Sequence, residues 1–259
     1  MVELIKSPQR RSVLASVLHA LFYVLYAAAV LFLLIIFPTA PWAALALVII
    51  SKWRVIAVRP RYWWANILSN LPDAFFGLGI VTLMWVSGSL PVQIFLTVVH
   101  IAWLVFLKPQ HKRHMVMIQA GISQFVAVWA LFTVSHLLPS TVAVFLMFLI
   151  GFSSARHALS AYDEADRGLL SLIWGFLVAQ LGFMAWHWTI AYSITPTFKL
   201  PQIAIIVATI AMLAERGYAA WRDDGVITWK EMKWPTIFVV LVLAVLLLLF
   251  SGLWDASTL

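Results

Sequence analysis

No cysteine occurs in the 259 residues. That excludes disulfides, thiol catalysis and Cys-ligated metals, and it leaves the redox compartment open. Charge is scarce as well. Asp, Glu, Lys and Arg make up 10% of the chain, against about 25% in a soluble domain. With 64% hydrophobic residues and a mean hydropathy of +0.99, there is too little polar surface to face water. Signature motifs are missing too: no G-x-x-x-x-G-K-[ST], no H-E-x-x-H and no G-x-S-x-G, since GFSSA at 151–155 lacks the second glycine. No apolar run has a lysine at its centre, which argues against a retinal Schiff base. Without charged rings or repeated arginines an ion channel has no positive support.

What is present is a succession of apolar runs of membrane-crossing length. The sequence predicts an all-α polytopic transmembrane bundle with about nine spans, forming one domain over 1–259. The spans are expected at about 12–37, 41–58, 65–88, 91–107, 114–137, 140–156, 168–193, 201–219 and 234–254. The first run is too long for a cleavable signal and no small-residue cleavage site follows it. With the N-terminus cytoplasmic and the C-terminus outside, only Lys199 of the seventeen Lys and Arg falls on the outer side. This is a strong positive-inside signal, which fixes the expected orientation and supports the count of spans. It also reads the net charge of +7 as topology rather than nucleic-acid binding. The outer turns are short and proline-marked, so any site lies in the bundle or at the cytoplasmic loops.

Several polar positions interrupt the spans. Ser12, Ser16, His19, Tyr23 and Tyr26 form a stripe on the first span. Such a stripe serves as interhelical glue or lines a polar cavity. Gly175, Ala179 and Gly182 on the seventh span, and Ala204, Ala208 and Ala211 on the eighth, read as seams for close helix approach. His100 and His187 read first as satisfied histidines, and alternatively as proton-relay or ligand-contact groups. The segment Arg59–Gly77, RPRYWWANILSNLPDAFFG, places Asn66, Asn70 and Asp73 on one helical face. Two placements of Asp73 are open. A helix starting near Trp63 puts it roughly 15 Å in, where a carboxylate needs a partner or water. If instead RYWWANILSN is an interfacial helix, Asn70 caps a span starting at Leu71 and Asp73 sits in its first turn. Capping chemistry favours the second.

A second acidic cluster, Asp163, Glu164 and Asp166, lies in SARHALSAYDEADRG, on the same predicted side as Asp73. Two such clusters can hold Mg²⁺ and, through it, a diphosphate, with Arg61, Arg156 and Arg167 against the phosphate oxygens. The alternative for DEADR is a solvated turn ahead of the seventh span, with Asp166 favourable to the helix dipole. In these features the chain resembles the UbiA superfamily of intramembrane prenyltransferases. That family has nine helices, an internal N-terminus and Asp-rich motifs in the second–third and sixth–seventh loops. Asn66 and Asn70 take the first places of its N-x-x-x-D-x-x-x-D motif; Asp73 stands one residue early, and Asp163 to Asp166 is one short of D-x-x-x-D. The resemblance implies Mg²⁺ held by Asp73, Asp163 and Asp166 and a lipid-diphosphate transfer. KWRVIAVRPRYWWANI and SAYDEADRGLLSLIWGF also resemble uncharacterised multi-pass proteins of candidate-phylum bacteria, which implies a plasma-membrane location.

The leading expectation is transport or binding of a small or lipidic molecule, rather than catalysis. The cavity would face the cytoplasm and be lined by Asn66, Asn70, Asp73, His100 and His187. The Mg²⁺-dependent transferase is the alternative. A structural subunit, whose small-residue seams bind another membrane protein or a second copy, is a third.

Overall fold

The computed structural model describes residues 13–188 and 190–249. The basic head at 1–12, with Ser12, and the end of the predicted ninth span lie outside the described residues. Among those described, the α-helices are α1 (Val13–Ile36), α2 (Trp42–Ile50), α3 (Trp63–Ser87), α4 (Leu90–Ala102), α5 (Arg113–Thr133), α6 (Ser140–Ser160), α7 (Arg167–His187), α8 (Gln202–Asp224) and α9 (Trp229–Ala244). A π-turn at Trp103–Leu107 prolongs α4, and another at Val245–Leu249 prolongs α9. Eight of these helices, with their extensions, are long and apolar enough to cross a membrane. The all-helical bundle thus has the composition and helix lengths of a multi-pass membrane protein. Its outward faces carry large apolar side chains such as Phe22, Phe32, Phe145 and Phe176, as lipid contact requires.

Helix ends follow local chemistry. Pro139 and Pro201 sit at the N-caps of α6 and α8, and Pro91 occupies the first turn of α4. There a missing N–H costs nothing. Gly88 closes α3 in the left-handed region, at φ 55°.

Several boundaries depart from the sequence reading, and three of the departures have a visible cause. First, α3 is continuous from Trp63 through Pro72, so Asn70 is not a cap and Asp73 lies inside the helix. The carbonyl of Pro72 gains a hydrogen bond from Ser123 Oγ at 2.6 Å, so the proline turn is held by its neighbour. Second, α2 has only nine residues and stops before 58. Ser51 Oγ bonds back to the Val48 carbonyl and Lys52 turns toward Asp73, which ends the helical path. Third, α7 stops at His187, and the chain beyond it forms β1 (Ala191–Ser193), paired antiparallel with β2 (Lys199–Pro201). Thr195 and Phe198 close the hairpin through backbone bonds, and Phe198 is buried against Trp129. The aromatic anchor outweighs a helical continuation.

Side-chain ties define the two ends of the bundle. At one end Trp85 Nε1 donates to the Pro38 carbonyl at 3.0 Å. Thr197 Oγ1 bonds the Ser87 carbonyl at 2.7 Å, and Trp129 Nε1 that of Lys199 at 2.7 Å. Arg113 and Asp223 meet at the opposite, charge-rich end. Since α3 runs between these ends, the chain from Pro38 to Trp63 also passes from one to the other, with little regular helix to do so.

α5 is the central helix, packed on α3, α6 and α8. α6 and α7 pack most closely of all. A Cβ built on Gly151 would lie 2.7 Å from Val178 Cβ, and one on Gly182 would lie 2.6 Å from Met147 Cγ. Gly175 faces Phe148 in the same way, at 3.0 Å. The glycine spacing on the seventh span therefore sits at a close helix contact. Gly151→Val is expected to destabilise the purified protein by about 1–3 kcal/mol through overpacking. Gly168→Ala, with nothing within 4 Å of the new Cβ, should be neutral. Equal thermal midpoints for the two variants would contradict this seam.

Candidate functional site

Two features stand out at the charge-rich end. The first surrounds Asp73. Its Oδ2 pairs with Lys52 Nζ and with Lys108 Nζ, the latter at 2.7 Å, and its Oδ1 accepts from Trp103 Nε1 at 3.0 Å. Lys52 stands just past α2, and Lys108 follows the π-turn after α4. The Asp73 and Lys52 side chains are 14% and 17% exposed, and Lys108 is 34% exposed. A single carboxylate thus sits between two ammonium groups. Lys108 Nζ also lies over the Tyr23 ring, 5.8 Å from its centroid. Below this layer the Phe76 ring stacks on Trp103 at 3.9 Å. His100 packs edge-on against Phe76 and Tyr26. His100 is 2% exposed and its Nδ1 has no hydrogen-bond partner among the described residues.

The π-turn that presents Trp103 and Lys108 is held from α5. Gln119 Nε2 donates to the carbonyls of Leu107 at 2.6 Å and Gln110 at 3.0 Å. Both amide hydrogens are then used, so Gln119 Oε1 faces His157 Nε2, 3.0 Å away, as acceptor. By that logic His157 carries its proton on Nε2.

The second feature is a cavity of about 780 Å³ between α5, α6, α7 and α8. Its walls are small or flexible: Met117 and Gly121 from α5, Ala155 and Ala158 from α6, Ala211 and Met212 from α8. Trp174 of α7 and Gln124 of α5 also line it, and Trp174 Nε1 donates to Gln124 Oε1 at 3.0 Å. Gln124 Nε2 is buried with no partner among the described residues.

The mouth is polar and already organised. Arg113 makes two hydrogen bonds to Asp223, at 3.0 and 3.1 Å, and lies 4.0 Å over the centroid of the Tyr162 ring. Tyr162 donates to Glu215 Oε1 at 3.2 Å and Tyr218 donates to Glu164. Burial pushes the Tyr162 hydroxyl above its usual pKa, which keeps it a donor. The Tyr218 hydroxyl holds the half-buried Glu164 carboxyl below its usual range.

The structure brings some of the sequence-selected residues together and not others. Asn66, Asn70 and Asp73 share α3, and His100 lies in the layer below Asp73. Asn70 Nδ2 is spent on the Asn66 carbonyl at 2.9 Å and on Ser69. His187 sits exposed at the other end of the bundle, its ring against Phe183 at 4.8 Å. Asp163 and Asp166 are exposed in the turn after α6. Asp163 adopts φ 50°, a left-handed turn conformation that Asp tolerates better than most residues. Among the described residues no group of three or more His, Asp or Glu is placed to hold a metal ion. Asp73, Asp163 and Asp166 therefore do not form one metal cluster, and the oxygens of Asp73 are occupied by donors.

Comparison with protein-family models, curated proteins and solved structures finds no match to this chain.

The sequence points to a cavity around Asp73, and none of the residues expected to line it belongs to the cavity between α5 and α8. The alanine spacing of α8 suggests a seam, yet Ala208 and Ala211 line open space. The partners of Asp73 were missed too. The positive-inside pattern places Lys52 and Lys108 on the same side as Asp73 but does not pair them with it, although each ends an apolar run on the side where Asp73 begins one. Asp73→Asn should cost about 3 kcal/mol, near the lower bound for breaking a buried pair, because both ammonium groups lose their acceptor. Lys108→Gln should cost less than Lys52→Gln, since Lys108 is the more exposed. Denaturation of Asp73→Asn at the wild-type midpoint would contradict the pairing.

Proposed function

We propose that the protein is an integral membrane protein that binds an amphipathic, lipid-like molecule in the α5–α8 cavity. The carrying observation is the cavity itself: about 780 Å³, with a small-residue apolar throat and a mouth of Arg113, Tyr162, Glu215 and Tyr218. That volume lies within the ~300–1,000 Å³ range of small-molecule sites. Along α5 the lining runs from Arg113 to Gln124, about 16 Å at 1.5 Å per residue. A chain of apolar carbons fits that length, with its polar end at the mouth.

The packing supports entry from the lipid side. α7 rests extensively on α6 and only sparsely on α8, although both line the cavity. A boundary between α7 and α8 that is loosely packed gives an acyl chain a lateral path. The charge distribution supports an orientation with the charge-rich end, and so the cavity mouth, in the cytoplasm. The plasma membrane of a bacterial-type cell is the location consistent with this reading. Transport is a natural extension, in which the bound molecule leaves by a different side from the one it entered.

The test uses a diazirine-bearing fatty acid as photoprobe on the full chain in detergent, read by peptide mass spectrometry. Labelling is expected on the α5 and α8 peptides that contain Met117 and Met212. Ala211→Trp should fill the throat and lower labelling at Met117 at least about fivefold, roughly 1 kcal/mol of binding. Labelling around the outward-facing Phe176 should not change. Equal labelling at Met117 in both proteins would overturn the proposal.

A further inference from the structure

The charges of the molecule are distributed unevenly. Asp73 is the only acid between residues 4 and 162, and the other described acids, from Asp163 to Glu231, lie in the turn between α6 and α7, in α8 or in α9. Over the same stretch of sequence the chain instead carries Lys52, Arg54, Arg59, Arg61, Lys108 and Lys112, of which Lys52 and Lys108 meet Asp73. At the pair itself, two ammonium groups share one carboxylate oxygen. Among the described residues one positive charge is left without an anion in a setting that is mostly buried. Leaving such a charge uncompensated is costly, and each ammonium retains two further N–H donors.

Helix lengths place this charge at the floor of a recess. Gln119 holds the carbonyls of Leu107 and Gln110, and Gln119 is six residues into α5. The exit of α4 therefore lies about 9 Å below the first residue of α5. Ser123 meets the Pro72 carbonyl, so nine residues of α3, from Trp63 to Leu71, rise about 14 Å above the level of Pro72. α2 has already ended at Ile50. Lys52 and Lys108 thus lie between two helices that extend past them. Asn66 and Asn70, both half-buried, stand on the rising part of α3. Beneath the floor, His100 keeps a ring nitrogen with no hydrogen-bond partner among the described residues.

We propose that this recess binds a phosphate-type anion, held by the free N–H donors of Lys52 and Lys108. Asp73 is then not a ligand. It holds the two lysines in position and limits their mutual repulsion, and the anion supplies the missing negative charge. The site is separate from the α5–α8 cavity, on the opposite side of α5, and does not depend on a ligand there. The same chemistry is offered by a free phosphate and by the headgroup of an anionic lipid.

The experiment has two arms on the full chain. In the first, thermal unfolding in non-ionic detergent is followed against inorganic phosphate, with chloride at matched ionic strength as reference. In the second, the protein is placed in nanodiscs of phosphatidylcholine with or without phosphatidylglycerol, and retained lipid is counted by native mass spectrometry. A saturable phosphate-specific rise in midpoint marks a site for a soluble anion. Retention of phosphatidylglycerol without a phosphate response marks a headgroup site. In either arm Lys108→Gln should weaken binding about tenfold, equivalent to about 1.4 kcal/mol. Lys108→Arg should keep most of it, and Arg54→Gln, at an exposed position, should change it little. Lys108 is the chosen position because its partial exposure makes its removal tolerable to the fold, as the anion-free midpoint will show. No response in either arm, or a response that Arg54→Gln reduces as much as Lys108→Gln does, overturns the proposal.

Discussion

A single carboxylate organises half of the bundle. Asp73 projects from the interior of α3 and takes hydrogen bonds from Lys52, Lys108 and Trp103. Through them it fixes the end of α2 and the turn that finishes α4. Charged groups at such a place survive only when paired, because neither lipid nor apolar protein solvates them. The bonds continue outward. The turn that carries Lys108 is gripped by Gln119, whose carbonyl oxygen accepts from His157 of α6. The next residue, Ala120, forms part of the cavity wall and its carbonyl accepts from Ser154. The ion cluster and the cavity are thus two sides of one helix, α5, held in register by polar contacts that the membrane interior would otherwise penalise.

The cavity has a complementary cause. Close approach of α6 and α7 requires glycine at the contact, as at Gly151 and Gly182. α8 has small residues as well, but its alanines do not bring it into the same contact with α5 and α7. A tie at each end holds it off. At one end Arg113 grips Asp223 and Tyr162 reaches Glu215. At the other, Trp129 Nε1 of α5 donates to the Lys199 carbonyl just ahead of α8 at 2.7 Å. Small side chains between spaced attachment points leave room, and that room is the candidate ligand site.

These cases show what a sequence of this kind discloses. Its all-helical class and most helix positions were legible because apolar runs bounded by proline and charge have one solution in lipid. The reading of α2 as a full helix failed because hydropathy does not register a lysine drawn to a distant acid. The end of α7 was misplaced for a similar reason, since the Phe198–Trp129 contact joins residues far apart in sequence. Asn70 looked like a cap because Asn-x-Pro-Asp is good capping chemistry in isolation. Support from Ser123, on another helix, lets α3 run through the proline. The alanine pattern of α8 was visible, but small residues are equally compatible with a seam and with a void. Which one forms depends on neighbours that periodicity does not identify.

The account rests most heavily on the occupancy of the space between α5 and α8. Its most direct test is a structure of the full chain determined in a lipid nanodisc, at a resolution that resolves side chains. The account predicts an elongated density running from Arg113 toward Gln124, with its polar end beside Tyr162 and Tyr218. A bundle in which α8 has closed onto α5 and α7, leaving no space for an acyl chain, would contradict it.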